Sequence, residues 1–346
     1  KAAKLGELRR HYPDAVARGV ALPFGLFKQV ALDQPHRSGG TLFEWMKQEY
    51  DRLAQPQGGT VDHGQQTDAF REEVYQAILA TRLPDALRRE LSDTLERVLG
   101  GETTGFFVRS DTNVEDLPGF TGAGLNLTLP NVIGVDALLE AIPRVWASPF
   151  TRRAFAWRQS HMADPEHVYT SILLLESVDS EKSGVLVTSD IDTGDRRVLS
   201  VAVNEGLGGA VDGQAAESVR IALDSEQVRV LATATAPLKR RLDPAGGIRK
   251  LPSSGRDEVL TASDIAQLRE FARSLPGKFP EIVDDRGDPA PADVEFGFLD
   301  GRLRLVQLRP FLDSGAAMGS AYLQHMDARA NRRGDKRVSL EEVPEI

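Results

Sequence analysis

The 346-residue chain is 41% hydrophobic and 27% charged, carries a net charge of −9 and contains no cysteine. That balance belongs to a globular protein of two domains, or of one large domain with subdomains, and it excludes disulfides and thiolate metal sites. A basic nucleic-acid surface is excluded as the main interaction, and no apolar run reaches the ~18 residues of a membrane span. The start Lys1-Ala2-Ala3-Lys4 has no apolar stretch behind it to make a signal peptide, so a cytoplasmic location is expected.

Residues 1–30 read as a helix and a short extended segment, with Pro23 at the turn between them. Helical periodicity covers Thr41–Leu53 and Thr67–Leu83, separated by the polar loop Gln55–Gln66. Pro84-Asp85 opens another helix, and Gly100-Gly101 follows its end. Phe106-Phe107-Val108 reads as a short buried strand delivering Arg109 to a loop, and Leu125, Leu127 and Leu129 alternate as in a half-buried strand. Two helices follow, Asp136–Ala147 with Asp136 as N-cap and Thr151–Met162. From Tyr169 the character changes to β: Tyr169–Val178, Ser183–Ser189, Arg197–Val203, Ser218–Leu223 and Gln227–Thr235. Ser263-Asp264 caps a helix to Leu275, a hairpin spans 292–309, and the residues after Pro310 read as a linker. The basic pairs Arg332-Arg333 and Lys336-Arg337 are balanced by Glu341, Glu342 and Glu345, as on a solvated tail.

Chemistry concentrates in two places. In the hairpin, Val294, Phe296 and Phe298 share one strand face, so Asp293 and Glu295 share the other. Register decides whether Gln307 and Arg309 join them. A two-residue Asp300-Gly301 turn pairs Glu295 with Val306 and sends Gln307 to the opposite face. A three-residue Leu299-Asp300-Gly301 loop pairs Asp293 with Gln307 and unites all four polar groups. Both remain open on sequence, as does an ordinary charged surface hairpin. Acids with an amide oxygen suit Mg²⁺, and an adjacent Arg suits the phosphates that Mg²⁺ bridges. The second place is the segment 108–124. Arg109 leaves a buried strand there, Ser110, Thr112 and Thr121 offer hydroxyls, and Gly119, Gly122 and Gly124 permit close backbone approach. The Gly-rich run 204–213 matches neither a Walker loop nor a dinucleotide fingerprint and reads as a flexible connection between strands. None of the six histidines sits in a recognisable catalytic or metal motif.

Val108-Arg109-Ser110, Glu115-Asp116-Leu117-Pro118 with Gly122, Ser183–Thr188, Gly206-Leu207-Gly208, and Asp293-x-Glu295 with Gln307-x-Arg309-Pro310 occur in that order. Together they resemble the N-terminal nucleotide-binding domain of the phosphoenolpyruvate synthase and pyruvate phosphate dikinase family, over residues 1–312. Lys1–Leu8 is similar to that domain's opening helix.

The resemblance implies an α+β ATP-grasp fold in which two subdomains enclose a nucleotide cleft. Residues 1–167 would form the helix-rich subdomain, 168–312 the β-rich one, and 313–346 a linker or tail. It implies that Lys1 and Arg109 bind ATP phosphates and act in catalysis, and that Glu295 and Gln307 hold Mg²⁺. Asp293 and Arg309 would complete the phosphate end, with Thr121, Gly122, Glu176 and Val178 as further nucleotide contacts. The family passes a phosphoryl group from ATP to a histidine on a separate carrier domain and on to pyruvate, so ATP and such a carrier are the expected partners. No Gly-Gly-x-x-Ser-His-like carrier segment occurs here, so a fragment or a split subunit is expected. Leu175 stands where relatives often carry Gln. The 111–125 wording is also similar to glucan water dikinases, which keeps other acceptors open, an antibiotic among them. A catalytically silent nucleotide-binding scaffold is the reading from a different class.

Overall fold

The computed structural model describes residues 1–54, 63–100, 105–114, 116–117, 120–121, 127–162, 164–210, 213–256, 258–284 and 286–311. Chain order begins α1 (Ala2–His11), β1 (Gly19–Leu22), α2 (Phe24–Phe27), α3 (Leu42–Ala54), α4 (His63–Leu79), α5 (Asp85–Leu99) and β2 (Gly105–Thr112). It continues β3 (Asp116–Leu117), β4 (Phe120–Thr121), β5 (Thr128–Ile133), α6 (Val135–Ala147), α7 (Arg152–His161), β6 (Thr170–Glu176) and β7 (Lys182–Val187). The last elements are β8 (Val198–Glu205), β9 (Glu217–Ala222), β10 (Val228–Ala232), β11 (Leu238–Leu242), β12 (Ile248–Pro252), α8 (Ala262–Lys278), β13 (Ala292–Leu299) and β14 (Arg302–Pro310). The fold is thus mixed α and β with several sheets.

Two antiparallel sheets organise these elements. One has the order β1-β6-β2-β5, the other β10-β9-β8-β7-β13-β14. Each side of the first sheet meets a different core. Phe106 and Val108 of β2, with Ile172 and Leu174 of β6, enter a core built on α3 to α6. Their neighbours Phe107, Leu173 and Leu175 enter the core of the second sheet, beside Val294, Phe296 and Phe298 of β13. A strand buried on both faces has no polar alternation to show, which is why β6 reads Ile-Leu-Leu-Leu without a break. Helices fall where apolar spacing demands them. α5 buries Leu87, Leu91, Leu95 and Leu99 at four-residue intervals and ends on left-handed Gly100.

Grouping by core crosses the 167/168 cut. β6 lies after it yet pairs within the first sheet, and α1 lies before it yet packs Leu5 and Leu8 into the second core.

Several local expectations need correction. Arg109 lies inside β2 and not in a loop after it, because the strand pairs with β6 as far as Thr112. The α6 N-cap is Gly134, two residues before Asp136. The α8 cap is Thr261, with Asp264 at the third helical position completing a reciprocal capping box. The 204–213 run is tethered as far as Gly208. Gly206, Leu207 and Gly208 donate backbone N–H bonds to Glu181 O, Arg240 O and Ser183 Oγ. The β11–β12 hairpin was not expected at all. Its tip reaches the first sheet's edge, where Asn131 Nδ2 donates to Asp243 O at 2.7 Å. No helix among the described residues is long and apolar enough to cross a membrane.

Candidate functional site

The hairpin's register is neither of the two sequence alternatives. Asp300 and Gly301 form a two-residue left-handed turn (φ 52° and 67°), so Leu299 pairs with Arg302. A bulge follows between Glu295 and Phe296, leaving Val306 as the extra residue of β14. Past it, Glu295 pairs with Gln307 and Asp293 with Arg309. The extra residue reverses the parity of β14, so Leu308 stays with Val294 in the core while Gln307 and Arg309 join the acids. All four polar groups share one face, by a route that keeps the short turn.

Arg109 meets this face from the other sheet. Odd-numbered side chains of β2 point toward the second core, and Arg109 follows Phe107 there. Its Nη2 donates to Gln307 Oε1 at 2.9 Å and lies 3.5 Å from Glu295 Oε2; its Nη1 donates to the bulge carbonyl, Val306 O, at 3.3 Å. Arg109 as a whole is 8% exposed, so these contacts sit largely out of water. Two ladder positions along, Arg309 Nε donates to Asp293 Oδ2 at 2.7 Å. Burial pushes the Asp293 carboxyl above its ordinary value, with Glu295 adding to the rise and the Arg309 guanidinium opposing it. Its other oxygen, Oδ1, is buried with no hydrogen-bond partner among the described residues.

Lys1 sits at the head of α1, where its Nζ donates to Ser110 O at 3.3 Å. The Ala2 N–H donates to Asp111 Oδ2 at 3.0 Å, so the two residues that follow Arg109 on β2 both anchor the head of α1. Glu176 is not grouped with the hairpin. Arg18 takes its carboxylate in a two-pronged bond, Nε at 3.0 Å and Nη2 at 2.9 Å. Val178 is half-buried, and its carbonyl accepts from the Ser180 N–H at 2.9 Å. Thr121 lies on β4, paired with Asp116, while Gly122 lies outside the described residues.

Sequence reasoning missed the Val306 carbonyl and the anchoring role of Asp111. No sequence signal marks the bulge, whereas Asp111 stood two residues from Arg109 in plain view.

The donor set fits a magnesium ion bound with a nucleotide. Among the described residues there is no group of three or more His, Cys, Asp or Glu that could hold a metal by themselves. Mg²⁺ commonly takes one or two protein oxygens and completes its shell with phosphate and water. Glu295 and Gln307 could supply two, and the orphaned Asp293 Oδ1 is a third oxygen on the same face. Arg109, Arg309 and Lys1 supply positive charge of the kind that phosphate oxygens accept.

Over 319 residues, 90% of this chain and 34% of the relative, the chain is 32% identical to a rifampicin phosphotransferase from Streptomyces sp. It is 30% identical over 242 residues to a rifampicin phosphotransferase from Bacillus cereus, covering 69% of this chain and 27% of the relative. Over 252 residues, 71% of this chain and 35% of the relative, it is 29% identical to a probable phosphoenolpyruvate synthase from Methanothermobacter thermautotrophicus. The chain therefore spans about a quarter to a third of the length of these curated relatives. Residues 1–329 match the family described as pyruvate phosphate dikinase, AMP/ATP-binding domain. With that match over nearly its whole length, the chain belongs to the AMP/ATP-binding domain family of pyruvate phosphate dikinase.

Proposed function

We propose that this chain is the nucleotide-activating part of an ATP-dependent phosphotransferase. It would hold Mg-ATP in an ATP-grasp cleft and deliver a phosphoryl group to a histidine on a carrier domain. The single observation that carries this reading is the meeting of Arg109 from one sheet with Glu295 and Gln307 from the other. A cation and two metal-type oxygens from separate sheets are what a cleft-bound nucleotide triphosphate requires.

In this reading the two subdomains correspond to residues 1–167 and 168–312, with β6 and α1 exchanged between them. Glu295 and Gln307 hold Mg²⁺, which when bound neutralises phosphate charge. Arg109 binds the phosphate oxygens through its planar fork, stabilising charge that develops as the phosphoryl group moves. Lys1 adds a second cation, and Arg309, held by Asp293, a third. The two faces of the cleft exclude water, so these charges act in a low-dielectric setting. A cytoplasmic location fits an enzyme that consumes ATP.

Two acceptors stand behind the carrier. Pyruvate follows from the phosphoenolpyruvate synthase relatives. Rifampicin, or an antibiotic like it, is favoured by the 32% identity to the Streptomyces enzyme across 90% of the chain.

Calorimetric titration with ATP, with and without Mg²⁺, tests the core of the proposal beside a Glu295→Ala variant. Mg-dependent binding that the variant loses is expected. Binding that ignores both Mg²⁺ and the substitution would refute the assignment of the hairpin.

A further inference from the structure

The position of Arg109 is notable for what it occupies. One nitrogen, Nη2, approaches both Gln307 Oε1 (2.9 Å) and Glu295 Oε2 (3.5 Å), the two oxygens assigned above to the metal. The third contact, from Nη1 to Val306 O at 3.3 Å, is to the residue whose insertion brings Gln307 opposite Glu295. The guanidinium thus sits as a positive charge between the metal ligands, fixed by a backbone carbonyl, on a buried residue.

We propose that, in the nucleotide-free chain, Arg109 is a resident stand-in for the metal, and that nucleotide phosphates must draw it away before Mg²⁺ can bind Glu295 and Gln307. This inference rests on the function proposed above and adds to it an order of assembly. Mg²⁺ coordinates oxygen at about 2.0–2.1 Å and demands near-octahedral geometry. A guanidinium hydrogen-bonded to the same two oxygens blocks that geometry and repels the ion. Water does not displace it, because its partners are a carboxylate, an amide and a carbonyl in a largely dry pocket. Phosphate does, since its oxygens match the guanidinium fork in two parallel bonds. The acids therefore stay neutralised and the metal site stays closed until a nucleotide arrives. By linkage, nucleotide and metal then raise each other's affinity through the same side chain.

The test is a nucleotide-free titration with Mn²⁺, read by water-proton relaxation, on the intact chain and on Arg109→Ala. Releasing two acceptors from a charged donor is expected to tighten Mn²⁺ binding about tenfold to a hundredfold. Arg109→Lys keeps the charge but loses the fork, and should fall between the two. Arg304→Met is the control for general electrostatics. Arg304 is a cation on β14, the strand of Gln307, opposite Gly297, and touches neither metal ligand. It should leave Mn²⁺ affinity within about threefold, a shift of less than ~1 kcal/mol. Folding of each variant is checked by circular dichroism.

The inference is overturned if Arg109→Ala binds Mn²⁺ no tighter than the intact chain, or if Arg304→Met tightens binding as much. The parent reading is tested separately in the same cell with ATP present. Mn²⁺ binding that requires ATP and is lost in Glu295→Ala upholds the nucleotide site, whichever way Arg109 behaves. No Mn²⁺ binding with ATP overturns both.

Discussion

Gly184 is the point where the second sheet has no room for a side chain. It lies on β7, opposite Phe296 on one side and Val203 on the other. A Cβ placed there would come 2.2 Å from Ala202 O and 3.0 Å from Phe296 Cζ. Gly184→Ala must therefore part β7 from β8 and push the Phe296 ring, and backbone atoms cannot rotate away. Overpacking of this kind costs about 1–3 kcal/mol, here near the upper end. Restricting the unfolded chain returns about 0.5–1 kcal/mol, since Ala is less flexible than Gly. A net loss of about 2 kcal/mol is expected, read as a lower urea midpoint at unchanged slope. Phe296→Leu alone should cost no more than about 1.5 kcal/mol. Combined with Gly184→Ala it relieves the ring contact but not the carbonyl contact, so the pair should couple favourably by ~1 kcal/mol without full rescue. Because Phe296 flanks the bulge that aligns Glu295, Mg-dependent nucleotide binding should weaken with the fold. An unchanged or raised midpoint for Gly184→Ala would refute the steric argument.

Two further outcomes follow from side chains that accept backbone N–H bonds. Glu217, 2% exposed on β9, accepts backbone N–H bonds from Val259 and Leu260. Burial pushes its carboxyl above the ordinary value despite them, so the native state retains a proton that the unfolded chain releases, and stability falls as pH rises through that window. Glu217→Gln should therefore be more stable than the parent near neutral pH, and urea midpoints should converge as pH is lowered through the same window; divergence at acid pH would contradict this. Thr261 caps α8 by accepting from the Asp264 N–H while Asp264 Oδ2 accepts from the Thr261 N–H. Thr261→Ala should cost about 1 kcal/mol by urea unfolding, and Thr261→Ser much less.

What the sequence disclosed depended on whether the determining contact was local. The apolar alternation of Val294, Phe296 and Phe298 placed the acids on one strand face, because strand geometry alone sets it. The pairing of Gln307 with Glu295 was not legible. It depends on a bulge at Val306, and nothing about valine announces one. The motif wording around Arg109 singled out the residue, but not its setting within a strand, since β2 is extended to Thr112 by pairing with a distant β6. Glu176 entered as a nucleotide contact through the family resemblance alone. Its long-range partner Arg18, 158 residues away, has no local signature. The α8 cap was off by two residues because Ser263 and Thr261 are equally good caps on propensity, and only the reciprocal bond to Asp264 separates them. The β11–β12 hairpin escaped because its charged residues, such as Arg240, Arg241, Arg249 and Lys250, obscure β alternation.

The placement of α1 also sets a clock on folding. Leu5 and Leu8 are buried in the second core, the Leu305 N–H donates to Ala15 O at 2.8 Å, and Arg304 reaches Asp14 O across 290 residues of chain. A helix made among the first residues thus finds its resting place only when nearly the last described strand exists. At ~5–20 residues per second of synthesis, its apolar side waits roughly 15–60 s for a partner. During that wait the apolar side of α1 is open to a chaperone, and nascent chains stopped before β14 should be captured or lost, however well the helical core around Trp146 has already formed.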